Sequence, residues 1–575
     1  MRGAELLVEM LVRHGVTTIF GVPGDTNVPL YDALRRRTAD IEHVMARDER
    51  SAGFMADAYA RLQDRPAVIE CPSGAGSMYS LPPVAESHAS SVPVILLTID
   101  VPLAGEGRGT ITELDCAKLY EPVTKLSLQV KSADKLPEIV RRAFRTACSG
   151  TPGAVHLQIP EDLLLAEVDV SSVSLHAETA CTTFPAHTAA PPREALDACL
   201  RLLREHRRPV IVAGGGVNRA RAGRTLAAVA QALNVPVVTT LTGQCALPAE
   251  HPLLFGVAGD NGFHPVANRA LEEADLVLVL GSKMGSVLTS GGRFPTATLH
   301  RRVVQVDIEP ARLGNNFENL LSIACDLQRF LDGLLQAVPP GFEPRRHQPW
   351  IDRLADGRAE FRHWADLQAR AEQLPLRPER VMRELALRID ASAGPVNLLC
   401  DAGTPTPYAS RFLRLREGSH LVIPRAYGGL GSALPGAVGA WYADRTRRPV
   451  ALFGDGSFNM TVGELETLVR KRVPAVLLLF NNACFGWIKG VQRMRGDEAF
   501  GVDFEAPRGQ AIAEAFGLAA WTARTPAELA HALEQAFEHS GPCLVDIHVE
   551  SLAERVPPVM SWLVKAGRDP LRVGG

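Results

Sequence analysis

Ten short apolar runs rich in Val, Ile and Leu recur along the chain, separated by longer amphipathic stretches, and this alternation limits the possible folds more than any other feature. They are AVIEC (67–71), VILLTI (94–99), AVHLQI (154–159), PVIVAGGG (209–216), LVLVLG (276–281), VVQVDI (303–308), NLLC (397–400), VALFGDG (450–456), AVLLLFNN (475–482) and CLVDIHV (543–549). Strands that are apolar throughout need cover on both faces, which parallel sheets between layers of helices provide. The expected class is therefore α/β with doubly wound parallel sheets. Two stretches interrupt the rhythm: 171–192, rich in Thr, Ala, Ser and Pro, and 338–349, rich in Pro, Arg and His. Read as linkers, they leave three doubly wound blocks near 1–172, 190–336 and 376–553, with a charged helical connector before the third. A chain of 575 residues is too long for one core, which agrees with several domains.

The composition excludes several function classes. A formal charge of -3, without a dense Lys/Arg run, gives no reason to expect a nucleic-acid partner. The N-terminal MRGAELLVEMLVRHGV carries Glu5 and Glu9 within its apolar pattern and reads as an amphipathic helix, not a signal peptide. The longest apolar runs, such as 475–480, fall far short of the roughly 20 residues that cross a bilayer, so no membrane span is expected. Ten cysteines without a CxxC pair point to reduced, buried thiols and a cytoplasmic setting.

The third block holds the most specific motif, GDGSFNMTVGELETLVRKRVPAVLLLFNN (454–482). It starts where one buried strand ends, passes through a helical pattern and closes at the end of the next strand. Both ends lie at the carboxyl edge of a parallel sheet, where α/β folds bind ligands. Asp455 offers a carboxylate oxygen and Asn482, 27 residues later, an amide oxygen, a donor set that suits magnesium with room left for phosphate oxygens. Gly454 and Gly456 permit close backbone approach, and Ser457 lies at the helix start, where N–H groups face an anion. A bare GDG is commonly a structural turn; the whole construction is far more specific.

This construction resembles the thiamine diphosphate-dependent family that contains acetolactate synthase, pyruvate oxidase, pyruvate decarboxylase and benzoylformate decarboxylase. The resemblance covers nearly the whole chain, in the order pyrimidine-binding, central and diphosphate-binding domains. It implies metal ligation by Asp455, Asn482 and the main chain of Cys484, and a second diphosphate turn in DAGTP (401–405) through Gly403 and Thr404. HVMARDERSAGFMADAYAR resembles the segment whose glutamate engages the cofactor's aminopyrimidine, which here implies Glu49. Without the family, Glu49 would read as a solvated charge at a helix start. RAYGGLGSALP (425–435) resembles the segment that bends the cofactor, with Leu430 as the wedge between its rings and the carbonyl of Gly428 as a hydrogen-bond acceptor. In this family the glutamate and the metal site meet across a subunit boundary, so a homodimer is the expected minimum and a homotetramer is common among relatives.

The chain also departs from its relatives. In FGVPGDTNVPLYDAL (20–34), Asp25 matches the pyruvate decarboxylase type and faces the substrate on that reading; capping of the next helix is the competing one. The decarboxylases also rely on an adjacent His pair and a glutamate after NN; here there is no such pair, and Ile488 stands at the glutamate's place. GRGTITELD (107–115) resembles the synthase segment GRGAFQELD, with Ile111 and Thr112 replacing Phe and Gln, which implies a changed donor or acceptor. Trp487 and Gln492, after NN, are placed either against the pocket or, for Trp487 equally, in the core. Gly214, Gly215 and Gly216 follow a strand and could approach a dinucleotide, but LGSKMGSV (280–287) lacks the arginine that holds FAD in synthases, which weighs against FAD.

The reading these residues favour is a thiamine diphosphate- and Mg2+-dependent carboligase that decarboxylates a 2-oxoacid and joins the product to a second carbonyl. Glu49 activates the cofactor, and Asp25 and Thr112 shape proton transfer and acceptor choice. A non-oxidative decarboxylase or lyase is the runner-up, motivated by Asp25. A catalytically silent paralogue is the third reading, against which the presence of Glu49, Asp455 and Asn482 argues.

Overall fold

The computed structural model of the chain describes residues 1–295, 302–339 and 342–574. Its strands form three six-stranded sheets. The first contains β1 (Thr18–Gly21), β2 (Glu42–Met45), β3 (Ala67–Pro72), β4 (Val94–Asp100), β5 (Leu126–Gln129) and β6 (Val155–Pro160), in the order β2-β1-β3-β4-β6-β5. The second contains β7 (Pro209–Ala213), β8 (Val237–Thr239), β9 (Leu254–Val257), β10 (Leu276–Leu280), β11 (Val303–Asp307) and β12 (Asn319–Ala324), in the order β12-β11-β10-β7-β8-β9. The third contains β13 (Asn397–Cys400), β14 (His420–Val422), β15 (Pro449–Gly454), β16 (Val476–Asn481), β17 (Ala519–Ala523) and β18 (Cys543–His548), in the order β14-β13-β15-β16-β18-β17. Pairing is parallel, and in the first sheet a single row of partners runs Phe20, Ile69, Leu96 and His156, all buried.

Each of the ten apolar runs lies on a strand. Two strands stop two or three residues before their runs do, because a helix takes over: β7 ends at Ala213 and β15 at Gly454, and helices begin at Gly215 and Asp455. The first and third sheets have the same connectivity, so each has a switch point where successive crossovers leave in opposite directions. In the third sheet it lies between β13 and β15, the position at which open α/β sheets form a ligand crevice at their carboxyl ends.

Tertiary contacts gather the chain into two compact units: Met1–His187 with Pro424–Ala451 and Met460–Ala475, and Thr188–Ile423 with Leu452–Asn459 and Val476–Gly575. In the first unit the N-terminal helix Gly3–Arg13 buries Leu6, Leu7, Met10 and Leu11, the amphipathic arrangement its sequence predicts. In the second, the connector helix Gln348–Ala369 buries Trp350, Ile351, Leu354 and Phe361 in the core of the second sheet. Met560 and Leu563, beyond the third block, join the same core. The region 171–192 holds short 3-10 turns, and its Cys181 and Phe184 are buried. No helix among the described residues is long and apolar enough to cross a membrane.

Candidate functional site

In the second unit, three loop tips converge at the carboxyl ends of β13, β15 and β16. Asp455, 3% exposed at the end of β15, organises them. Its Oδ1 accepts from the N–H of Gly456 at 2.8 Å, and its Oδ2 accepts from the N–H groups of Asn482 at 2.8 Å and Ala483 at 2.6 Å. One carboxylate thus ties the GDG turn to the NN turn. Burial raises this carboxyl group above the ordinary range, against the pull of the three N–H donors. A divalent cation beside it would offset the cost of that buried charge.

The amide of Asn482 donates to Thr404 Oγ1 at 3.4 Å, and among the described residues its Oδ1 accepts the weak thiol donor of Cys484, at 3.4 Å. The Cys484 carbonyl accepts from Gly486 N–H at 2.9 Å, which leaves a second lone pair on that oxygen. Gly403 (φ +117°) and Gly428 (φ +69°) have left-handed backbones, and a Cβ on either would meet nothing within 4 Å. Ser457 Oγ donates to the buried Asp401, fixing the start of the helix Asp455–Thr461. Among the described residues no group of three His, Cys, Asp or Glu could hold a metal. The donors here are of another kind: one carboxylate, one amide oxygen and one main-chain carbonyl, which suit a hard cation that keeps phosphate ligands.

Asn481 has a structural task, donating to Asp546 Oδ1 and the Pro507 carbonyl, both at 2.9 Å. The single helix expected between the two turns is broken into Asp455–Thr461 and Glu464–Arg470, with Val462 and Gly463, poor helix formers, at the break. Trp487 packs on Trp562 with ring centroids 4.8 Å apart. Gln492 exchanges hydrogen bonds with the Phe500 main chain at 3.0 and 3.2 Å, which pins the following loop.

In the first unit, the turn 73–74 after β3 and the start of the helix Ala75–Ala89 join the other predicted residues. Glu49 opens the helix Glu49–Gln63 behind the N-cap Asp48, whose carboxylate accepts from Ser51 N–H at 2.8 Å. Glu49 is 8% exposed, and a Cβ on Gly76 would lie 2.8 Å from its Oε1. Burial, followed by the negative charges of Asp48 and Glu70, raises the Glu49 carboxyl group, against the effect of its own backbone N–H. Ser73 hydrogen-bonds Thr112 Oγ1 at 2.7 Å, and its N–H donates to Thr26 Oγ1 at 3.2 Å, so the loops of Thr112 and Asp25 both hang on this turn. Thr112 has φ +68°, a strained conformation for a β-branched residue and one that tends to persist at functional sites. Asp25 is exposed and caps nothing: the helix Val28–Arg35 has Asn27 at its N-cap and no side-chain cap bond.

Gly428 and Leu430 sit in a loop of the first unit whose entry is held by Glu86. This buried carboxylate accepts from the N–H groups of Ala426 at 2.9 Å and Tyr427 at 2.8 Å. Sequence reading passed over Glu86, Asp401 and Glu464. Burial pushes the Glu464 carboxyl group up to about 7, and it accepts from the Arg47 N–H at 2.7 Å, just before Asp48 and Glu49. A charged residue inside an otherwise apolar helical pattern was the available signal for Glu86 and Glu464.

Comparison with known proteins gives matches along nearly the whole chain. The chain matches the thiamine pyrophosphate enzyme models for the N-terminal TPP binding domain over residues 1–119, the central domain over 196–334 and the C-terminal TPP binding domain over 401–547. It is 30% identical to the probable acetolactate synthase large subunit of Methanocaldococcus jannaschii, over 97% of this chain and 93% of that protein. It is 29% identical to the acetolactate synthase isozyme 2 large subunit of Escherichia coli, over 97% of each. It is likewise 29% identical to the acetolactate synthase large subunit of Lactococcus lactis subsp. lactis, over 97% of this chain and 94% of that one. With all three domains matched in order and relatives aligned from end to end, the chain belongs to the thiamine pyrophosphate enzyme family that includes the acetolactate synthase large subunits.

Proposed function

We propose that this protein is a thiamine diphosphate- and magnesium-dependent carboligase of the acetolactate synthase type. It decarboxylates a 2-oxoacid and joins the acyl unit to a second carbonyl. The end-to-end similarity to acetolactate synthase large subunits carries this reading. The exposed Ile488 supports it, because it offers no acid where a decarboxylase would protonate its product. Asp455, Asn482 and the Cys484 carbonyl hold the magnesium ion; Gly403, Thr404, Gly454, Gly456 and Ser457 line the diphosphate. Gly428 offers its carbonyl to the aminopyrimidine, and Leu430 supplies the apolar wedge. When bound, thiamine diphosphate supplies the carbon nucleophile and the electron sink that amino-acid side chains lack. Glu49, whose carboxyl group burial raises, would hydrogen-bond the aminopyrimidine ring nitrogen, while Asp25 and Thr112 govern proton movement and acceptor choice at the substrate.

A homodimer is the working unit in this reading. Exposed Met78, Tyr79, Ile111 and Tyr427 in the first unit and Phe500 in the second are apolar surfaces that a second copy would cover. The cytoplasmic assignment rests on cysteine usage, nine of the ten being buried. We assign no FAD to the central domain. A Cβ on Gly214 would meet Gly281 O at 2.2 Å and one on Gly216 would meet Gly281 Cα at 2.8 Å, so close packing accounts for these glycines without a dinucleotide. Module borders at 1–172, 190–336 and 376–553 belong to the same proposal.

Incubation with pyruvate, magnesium and thiamine diphosphate, with carbon dioxide and products followed by mass spectrometry, is expected to give carbon dioxide and a joined product. An aldehyde as sole product would replace this reading with the decarboxylase that Asp25 suggests. Gly76→Ala is expected to displace the Glu49 carboxylate and lower turnover about tenfold or more, since small misplacements at a reacting centre are costly. Unchanged steady-state turnover in that variant would mean that the position of Glu49 is immaterial.

A further inference from the structure

Glu70 lies within the apolar run AVIEC, and its side chain is wholly buried. A charge there requires partners, and it has three. Oε2 accepts from Asn27 Nδ2 at 2.6 Å; Oε1 accepts from Tyr31 OH at 2.7 Å and lies 3.0 Å from His43 Nε2. Tyr31 OH and His43 Nε2 are themselves 3.1 Å apart, closing the network. Gly21 makes room for it: a Cβ there would sit 1.9 Å from Glu70 Oε1.

Asn27 carries the arrangement to the surface. It is fully buried, its Oδ1 accepts from Gly24 N–H at 2.7 Å, and its amide also donates to the Val22 carbonyl at 3.0 Å. These bonds bracket Asp25. The other two side chains on the network lie on the helix Val28–Arg35 and on β2, so Glu70 ties the loop to the elements on either side of it.

We propose that Glu70 is the positioning residue of the loop 22–27 and, through Asn27, fixes the backbone that presents Asp25. The kinetic half of this inference rests on the substrate-facing role assigned to Asp25 above. Gln at 70 can satisfy the same partners, because its oxygen can accept from Asn27 while its NH2 donates to Tyr31 OH or His43, whose hydrogens can rearrange. Ala removes one of the two acceptors of the Asn27 amide and leaves Tyr31 OH only His43 Nε2 as a partner in the network.

Hydrogen exchange read by mass spectrometry over residues 22–27 separates these cases without relying on activity. Glu70→Ala is expected to speed exchange of the Gly24 amide by about tenfold or more, and Glu70→Gln to recover most of that loss. With pyruvate as substrate, Glu70→Ala should lower kcat/KM roughly tenfold to hundredfold, yet add nothing to an Asp25→Asn background. If Glu70→Ala does not fold, Glu70→Met fills the volume without accepting a hydrogen bond and takes its place. Unchanged exchange over 22–27 in a folded variant overturns the proposal, as does full additivity with Asp25→Asn. Faster exchange together with normal kinetics in Asp25→Asn would remove Asp25 from the reaction and leave the hold of Glu70 on the loop established.

Discussion

Glu49→Gln is expected to lower turnover roughly 10²–10⁴-fold, the range typical of a lost acid–base group, while magnesium-dependent binding of thiamine diphosphate stays within a few-fold of the wild type. In the proposed role Glu49 serves through its proton, whereas the metal and diphosphate are assigned to the loops after β13, β15 and β16. Stability should move the other way. Burial and the charges of Asp48 and Glu70 raise the Glu49 carboxyl group, so the folded chain favours its protonated form. The stability tied to that proton is full at acid pH and is lost as pH rises through the raised value. Gln has no charge to bury. Its melting temperature should therefore match or exceed that of the wild type, by a margin larger at about pH 8 than at about pH 5. An active Glu49→Gln enzyme, or a margin that shrinks with rising pH, would contradict the assignment.

The second large effect is expected at Asp455. Asp455→Ala removes the acceptor for three N–H groups, those of Gly456, Asn482 and Ala483, in addition to the carboxylate proposed to bind magnesium. Ala483 has φ +57°, a left-handed conformation that a non-glycine residue keeps only while its surroundings insist. Once the clamp is gone the NN turn should relax, taking the Asn482 side-chain amide away from Thr404. Magnesium-dependent affinity for the cofactor is expected to fall by about 100-fold or more, beyond what loss of a supporting partner alone causes. Asp455→Asn keeps one acceptor oxygen and should be intermediate. Isothermal titration with thiamine diphosphate measures both, and wild-type affinity in Asp455→Ala would remove this residue from the metal site.

How far the sequence could be read followed burial. The ten strands recognised as apolar runs include none of the six that end a sheet: β2, β5, β9, β12, β14 and β17. Edge strands have one paired side and partial cover, so their residues, such as Leu126–Gln129 or, Ile323 apart, Asn319–Ala324, are partly or fully exposed and lack the unbroken apolar signal. Asp455 and Asn482 were legible because each ends or follows a buried strand in one short motif. Their support was not. Asn27 finds Glu70 43 residues away, and Ala426 finds Glu86 340 residues away, pairings that only the folded chain creates. Glu70 did carry a local sign, a carboxylate inside a buried strand, which marks a polar network before its partners are known.

Metal-dependent grip of the cofactor is the property that every proposed role here requires. Titrating the purified protein with thiamine diphosphate, with magnesium and again after chelation, should give saturable binding that chelation abolishes. Binding that ignores the metal, or no binding in its presence, would contradict the site built on Asp455 and Asn482.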